Sequence, residues 1–171
     1  MRFALKTIVA LFLLLSIGMG SWFIYGKLIV KKNAINNLKR FPNLKLTSLD
    51  NLPIFASDLI QPNKATIICL FNSECDHCNQ QIKEIKTLIS SNDVNVILIS
   101  SESLSRIRSY TSVNNLNNSK MHFTSIDEGK VFESFGAISF PHLLIYNSQG
   151  ELKKEFMGEV KAEAILKHVT E

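Results

Sequence analysis

The sequence predicts an α/β domain with a mixed central sheet, preceded by an apolar helix that crosses a membrane. Three observations carry this prediction. Short apolar runs alternate with segments of helical periodicity, and the chain closes with a hairpin signal and a further helix. The stretch 7–26 contains no charge and has the length of about 20 residues that a transmembrane helix needs. We therefore expect a membrane anchor at 1–26, a juxtamembrane stalk at 27–42 and one α/β domain at 43–171.

The formal net charge of +4 comes entirely from the N-terminal segment. Residues 1–40 contain seven Lys or Arg and no acid, whereas residues 41–171 contain twelve Lys or Arg against fifteen Asp or Glu. The α/β domain is thus mildly acidic, and it lacks a stripe of basic and aromatic residues. This composition argues against nucleic acid as a partner.

The predicted anchor follows a short basic tail that contains Arg2 and Lys6, as export signals do. Trp22 and Tyr25 lie near its far end, where amphipathic rings favour the membrane interface. We expect an uncleaved single-pass anchor in the cell membrane, with the domain on the extracytoplasmic side, although the lysines after the stretch favour the opposite orientation. A cleaved signal peptide is the alternative, because small residues precede Ser21.

The elements of the domain follow from local patterns. A polar helical segment ends at Pro42, and two short extended pieces then flank a turn near Asp50. Compact apolar runs predict buried strands, and apolar residues three or four positions apart predict helices. The further predicted strands are 65–71, 94–100, 121–126, 142–147 and 151–157, and the predicted helices are 76–91, 103–113, 128–136 and 161–169.

Two cysteines lie where the strand at 65–71 gives way to a helix. The first turn of a helix offers unpaired N–H groups and the positive end of the dipole, both of which stabilise a thiolate. Because thiolate is the reactive form, Cys75 and Cys78 are the candidate redox pair. We expect the Cys75 sulfur to be exposed and to attack, and Cys78 to lie beneath it and resolve the mixed disulfide. Sixty-six residues after Cys75, Pro141 enters a strand, where an X–Pro bond can be cis.

With CDHC after ATIICLF, FP at 140–141 and a YNSQGEL hairpin, the sequence resembles the membrane-anchored thiol–disulfide oxidoreductases of the thioredoxin fold, the TlpA/ResA-like redoxins, over residues 43–170. The resemblance implies a thioredoxin-like fold, Cys75 as nucleophile and Cys78 as resolving thiol. It implies that Phe140 and Pro141 help bind the substrate backbone, and that the Cys75–Cys78 disulfide is the only redox group. Implied partners are protein dithiols or disulfides and a membrane thiol protein that donates or accepts electrons.

Three positions depart from the family pattern. Glu74 replaces a tryptophan, Cys69 replaces a buried acid, and His77 replaces a proline. Cys69 lies in an apolar strand and is expected to be an inert core thiol. We expect His77 to tune the pKa of the neighbouring thiols, against the opposing charges of Glu74 and Asp76. The direction of electron flow stays open.

Other interpretations of the cysteine pair remain. No metal is expected in the redox interpretation, but Cys75, His77 and Cys78 could bind copper or zinc, and His142 is the other histidine that could approach them. A purely structural disulfide would close a very small loop and add little stability. A scaffolding domain that makes no use of its cysteines is the remaining alternative.

Overall fold

A seven-stranded mixed sheet lies at the centre of the structure, a computed structural model that describes residues 2–116, 119–136 and 139–169. Its spatial order is β2-β1-β5-β4-β3-β6-β7. The strands are β1 (Lys45–Ser48), β2 (Pro53–Phe55), β3 (Thr66–Leu70), β4 (Asn95–Ser100), β5 (Met121–Ser125), β6 (His142–Tyr146) and β7 (Leu152–Met157).

Five α-helices are described, together with a 3₁₀ turn at Ala56–Leu59. The helices are α1 (Arg2–Asn37), α2 (Asp76–Ser91), α3 (Leu104–Val113), α4 (Glu128–Phe135) and α5 (Ala162–Val169). The predicted mixed α/β class with flanking helices is therefore confirmed.

The central strand β3 determines where the site lies. It runs parallel to β4 and antiparallel to β6, with Leu70 opposite His142. The carboxyl end of β3 consequently meets the amino end of β6. Since β3, β4 and β5 run parallel to one another, the residues that follow these strands lie at the same end of the sheet.

The two faces of the sheet carry separate apolar cores because successive side chains of a strand point to opposite faces. On one face, Cys69 and Leu143 pack with apolar residues of α2, α3 and α5. On the other face, Ile68 and Leu144 pack with the apolar side of α4. All five residues of β3 are buried, as expected for a strand covered on both faces.

The N-terminal helix α1 continues into the domain, where its end completes the second core. Ala34 and Leu38 are 1% and 2% exposed. The hydroxyl of Tyr146 donates to the carbonyl of Leu38 at 3.1 Å. Gly136 ends α4 in the left-handed region (φ 60°), and a Cβ there would lie 3.3 Å from Lys31 Cγ. The predicted stalk at 27–42 thus contains residues that pack as part of the domain.

The predicted anchor falls partly outside the described residues. Residue 1 and the side chains of residues 2–11, 13 and 14 are not described. Among the residues that are described, no helix is long and apolar enough to cross a membrane. The anchor at 1–26 stays a prediction.

Candidate active site

Cys75 is the N-cap residue of α2, at the end of a short loop that follows β3. Its backbone N–H donates to the carbonyl of Asn72 at 3.2 Å, which closes the loop. Its sulfur accepts the backbone N–H of Cys78 at 3.3 Å. The half-buried Cys75 sulfur therefore takes the place that a Ser or Asp oxygen usually occupies at a helix start, where a negative charge is stabilised.

Cys78 lies one turn further along α2 and is fully buried, and all three cysteines are free thiols. Loss of hydration raises the pKa of the Cys78 thiol to about 12, and the hydrogen bond with Cys75 adds to this. A hydrogen bond from the backbone of Asn72 opposes the increase in part. The pair thus combines one accessible sulfur with one that stays protonated.

The bond between Phe140 and Pro141 is cis, as its place before a strand suggested. The Phe140 carbonyl lies 4.0 Å from the Cys75 sulfur, and the Phe140 side chain is 37% exposed. Pro141 is buried, and its carbonyl accepts the N–H of Gly158 at 2.8 Å. The structure therefore brings the cysteine pair and the Phe140–Pro141 segment together, although they are far apart in the sequence.

His77 contacts Glu159 in the loop before α5. Its Nδ1 lies 3.1 Å from Glu159 Oε2, and its side chain is 77% exposed. The partner of His77 was missed by sequence reasoning, since nothing local links residues 82 positions apart. Its effect on the thiols stays a prediction.

Cys69 lies in the middle of β3, fully buried. Loss of hydration raises the pKa of its thiol well above the ordinary value, and the nearby Cys78 adds to the increase. Cys69 is therefore held in the protonated, unreactive form.

His142 does not turn toward the cysteines. Its side chain is 1% exposed, and its Nε2 lies 2.7 Å from Glu155 Oε1 on β7. Across the described residues, no group of three or more His, Cys, Asp or Glu side chains is arranged to hold a metal ion. No contact in the described part of the chain favours the copper or zinc interpretation over the redox one.

Glu102 is a second residue that sequence reasoning missed. It follows β4, its side chain is only 8% exposed, and it accepts hydrogen bonds from Ser73 in the loop before Cys75. One signal in the sequence could have found Glu102. The apolar runs at 65–71 and 94–100 predict consecutive buried strands, and a carboxylate that follows the second of two parallel strands lies beside the loop that follows the first.

The fold and the dithiol site define a thioredoxin-like protein of the thiol–disulfide oxidoreductase type. The site supplies a half-buried sulfur at a helix start, a buried partner sulfur and an adjacent cis-proline. The chain belongs to the AhpC/TSA family, whose sequence profile matches residues 38–155. It is a redox enzyme whose direction of electron transfer is open. A comparison with curated proteins gives no match.

Solved structures share the thioredoxin-like fold. StoA from Bacillus subtilis is 18% identical, with 75% of this chain and 96% of that chain covered and a TM-score of 0.57. A secreted disulfide oxidoreductase of Mycobacterium tuberculosis, homologous to E. coli DsbE, is 16% identical, with 75% and 95% covered and a TM-score of 0.62. The exposed lipoprotein thioredoxin Etrx1 of Streptococcus pneumoniae is 19% identical, with 74% and 97% covered and a TM-score of 0.57. At these identities the likeness is one of fold.

Proposed function

We propose that this protein is an extracytoplasmic, membrane-tethered thiol–disulfide oxidoreductase of the TlpA/ResA-like kind, which exchanges disulfides with protein substrates. The observation that carries the proposal is the unequal exposure of the two sulfurs. Cys75 is half-buried at the start of α2 beside the Phe140 carbonyl, whereas Cys78 is fully buried beneath it. A substrate can reach the first sulfur but not the second.

In the reducing direction, the Cys75 thiolate attacks one sulfur of a substrate disulfide. The new S–S bond joins Cys75 to the substrate, and the other substrate sulfur leaves as a thiolate. Cys78 then loses its proton and attacks the Cys75 sulfur, which releases the second substrate thiol and closes the Cys75–Cys78 disulfide. The substrate gains two electrons and the enzyme loses two, so a membrane dithiol must reduce the enzyme again. Oxidation of substrates is the same sequence in reverse.

Phe140 and Pro141 are proposed to bind the substrate backbone during this exchange. They lie beside the attacking sulfur, and the half-exposed Phe140 ring offers an apolar contact. The cis-proline has no N–H and its carbonyl is taken by Gly158, so the main-chain groups left for a substrate are those on the Phe140 side.

Tethering outside the cytoplasm has two supports. The stretch 7–26 is uncharged and long enough to span a bilayer, and α1 connects it without a break to the domain. Two of the proteins with similar structures are described as secreted or as an exposed lipoprotein.

Labelling of Cys75 in intact cells by a maleimide that cannot cross membranes tests the orientation; labelling only after lysis contradicts it.

Trapping of the mixed disulfide tests the chemistry. Cys78→Ser cannot resolve the intermediate, so it should accumulate covalent adducts with substrates. These adducts should appear on a non-reducing gel and disappear when a reducing agent cleaves the mixed disulfide. Cys75→Ser should accumulate none. The opposite pattern would reverse the two roles, and the absence of adducts in both variants would contradict the proposed exchange.

The reduction potential of the pair decides the direction of electron flow. Equilibration with glutathione should give a potential of about −270 mV for a reductant that resembles thioredoxin, or of about −120 mV for a strong oxidant. Potentials between these values would fit isomerisation of substrate disulfides.

A further inference from the structure

We propose that Glu102 is a positioning residue for Cys75, which holds the loop between β3 and α2 so that the sulfur stays at the helix start. The inference rests on the proposed function, because it assigns a role to a residue outside the dithiol motif. Glu102 follows β4, and its side chain reaches across to the loop that follows the parallel neighbour β3.

Both carboxylate oxygens of Glu102 bind the same residue of that loop. Oε2 accepts the backbone N–H of Ser73 at 2.8 Å, and Oε1 accepts the Ser73 hydroxyl at 2.6 Å. Oε2 also accepts the hydroxyl of Ser100, the last residue of β4, at 2.9 Å. Hydrogen bonds to a carboxylate are stronger than neutral ones, and this carboxylate is largely shielded from water. Ser73, two residues before Cys75, is therefore held at two points.

Glu102 is itself fixed from two sides. Its backbone N–H donates to the Ser100 hydroxyl at 3.2 Å, and its carbonyl accepts the Ser125 hydroxyl at 3.1 Å. Arg106 on α3 lies 3.7 Å from Glu102 Oε1 and 3.2 Å from Glu74 Oε1. The carboxylate is thus part of a rigid frame made by β4, β5 and α3, and Arg106 links that frame to the residue directly before Cys75.

Within the described part of the chain, the other polar contacts that tie this loop to the sheet and α3 are the Phe71 N–H bond and the exposed Glu74–Arg106 pair. The bonds of Asn72 to the N–H groups of Glu74 and Cys75 lie within the loop and set only its shape. The Phe71 N–H, bonded to the Ile99 carbonyl, holds the start of the loop. Without Glu102, the part of the loop that leads into Cys75 would keep the exposed Glu74–Arg106 pair but lose both bonds at Ser73, and it would move more freely. The hydrogen bond between the Cys75 sulfur and the Cys78 N–H would then loosen, and reactivity would fall.

The test compares full-length reduced variants in detergent by the rate at which iodoacetamide alkylates Cys75, followed by mass spectrometry across a range of pH. Glu102→Ala should slow alkylation about tenfold or more at each pH. Alkylation of Glu102→Gln should stay within about threefold of wild type. The Gln amide oxygen still accepts the Ser73 N–H, and the Ser73 hydroxyl can rotate to accept a hydrogen bond from the amide NH₂. Glu128→Ala, which removes an exposed carboxylate from α4, is the matched control and should change nothing.

Several outcomes would overturn the inference. Alkylation of Glu102→Ala within twofold of wild type shows that the loop does not need the carboxylate. Equal losses in the Gln and Ala variants reject rescue by the amide, and faster alkylation in both shows that the charge of Glu102 acts on the thiols, because a nearby carboxylate opposes thiolate formation. If circular dichroism shows that Glu102→Ala is unfolded, Ser73→Ala is tested instead. This variant loses the hydrogen bond from the Ser73 hydroxyl, and its Cys75 should be alkylated about threefold more slowly. An unchanged rate rejects the positioning role of Glu102. A wild-type Cys75 no more reactive than Cys69 or Cys78 counts against the proposed function instead.

Discussion

The packing of Leu38, the residue that directly follows α1, can be tested by Leu38→Ala. Leu38 is 2% exposed and lies in the core that includes Phe135 and Tyr146. Truncation of such a leucine costs about 2–5 kcal/mol, from lost apolar burial and the cavity that remains. We expect about 3 kcal/mol, a large part of the total for a domain whose unfolding costs about 5–15 kcal/mol.

Urea unfolding of the full-length chain in detergent, followed by circular dichroism, measures this loss. With a slope of about 1–3 kcal/mol per molar urea, the midpoint should fall by about 1–3 M. The matched control is Leu52→Ala, because Leu52 is 59% exposed and its truncation should cost less than about 0.5 kcal/mol. Equal midpoints for the two variants would refute the packing of Leu38 in the core.

Three further predictions concern charge. Ala162 N–H and Lys161 lower the pKa of Glu84, so the stability it adds is present above its ordinary pKa near 4.5 and is lost as the pH falls. Glu84→Gln should therefore unfold about 1 kcal/mol more easily than wild type at pH 7, and in urea titrations the difference should shrink as the pH falls below 4.5. Burial raises the pKa of Cys78 from 9.0 to about 12, so its contribution is complete below pH 9 and is lost toward pH 12. The reduced wild type should lose stability over this window more steeply than Cys78→Ala; parallel curves would contradict the raised pKa. Glu159→Gln should change stability by less than about 1 kcal/mol, because its partner His77 is largely exposed. It should raise the reduction potential measured against glutathione, because a released His77 can pair with the Cys75 thiolate, and in a His77→Ala background the change should disappear.

The strands, the helices and the dithiol were predictable because each has a local pattern. The run at 65–71 is apolar apart from Thr66, and Cys75 follows it after three residues, so the place of the two cysteines at a strand-to-helix junction needs no long-range information. Pro141 was found by its place at the start of another apolar run.

The supporting contacts were not predictable in the same way. Ser73 and Glu102 are 29 residues apart, and His77 and Glu159 are 82 apart, so neither pair leaves a periodic signal. The boundary at residue 43 placed Leu38 outside the domain because charged residues next to it favour a polar stalk. Its burial depends on Tyr146, which lies 108 positions away. Such pairings follow from the order of strands in the sheet, which local pattern does not give.

The place of Cys69 gives the protein an internal probe of unfolding. β3 has hydrogen-bonded neighbours on both sides and packed apolar layers above and below, so fraying at the sheet edges leaves this thiol covered. In a chain with Cys75→Ser and Cys78→Ser, a thiol reagent could reach it only when the centre of the sheet opens. The labelling rate of Cys69 would then report the free energy of global opening, separately from the motions of loops and termini.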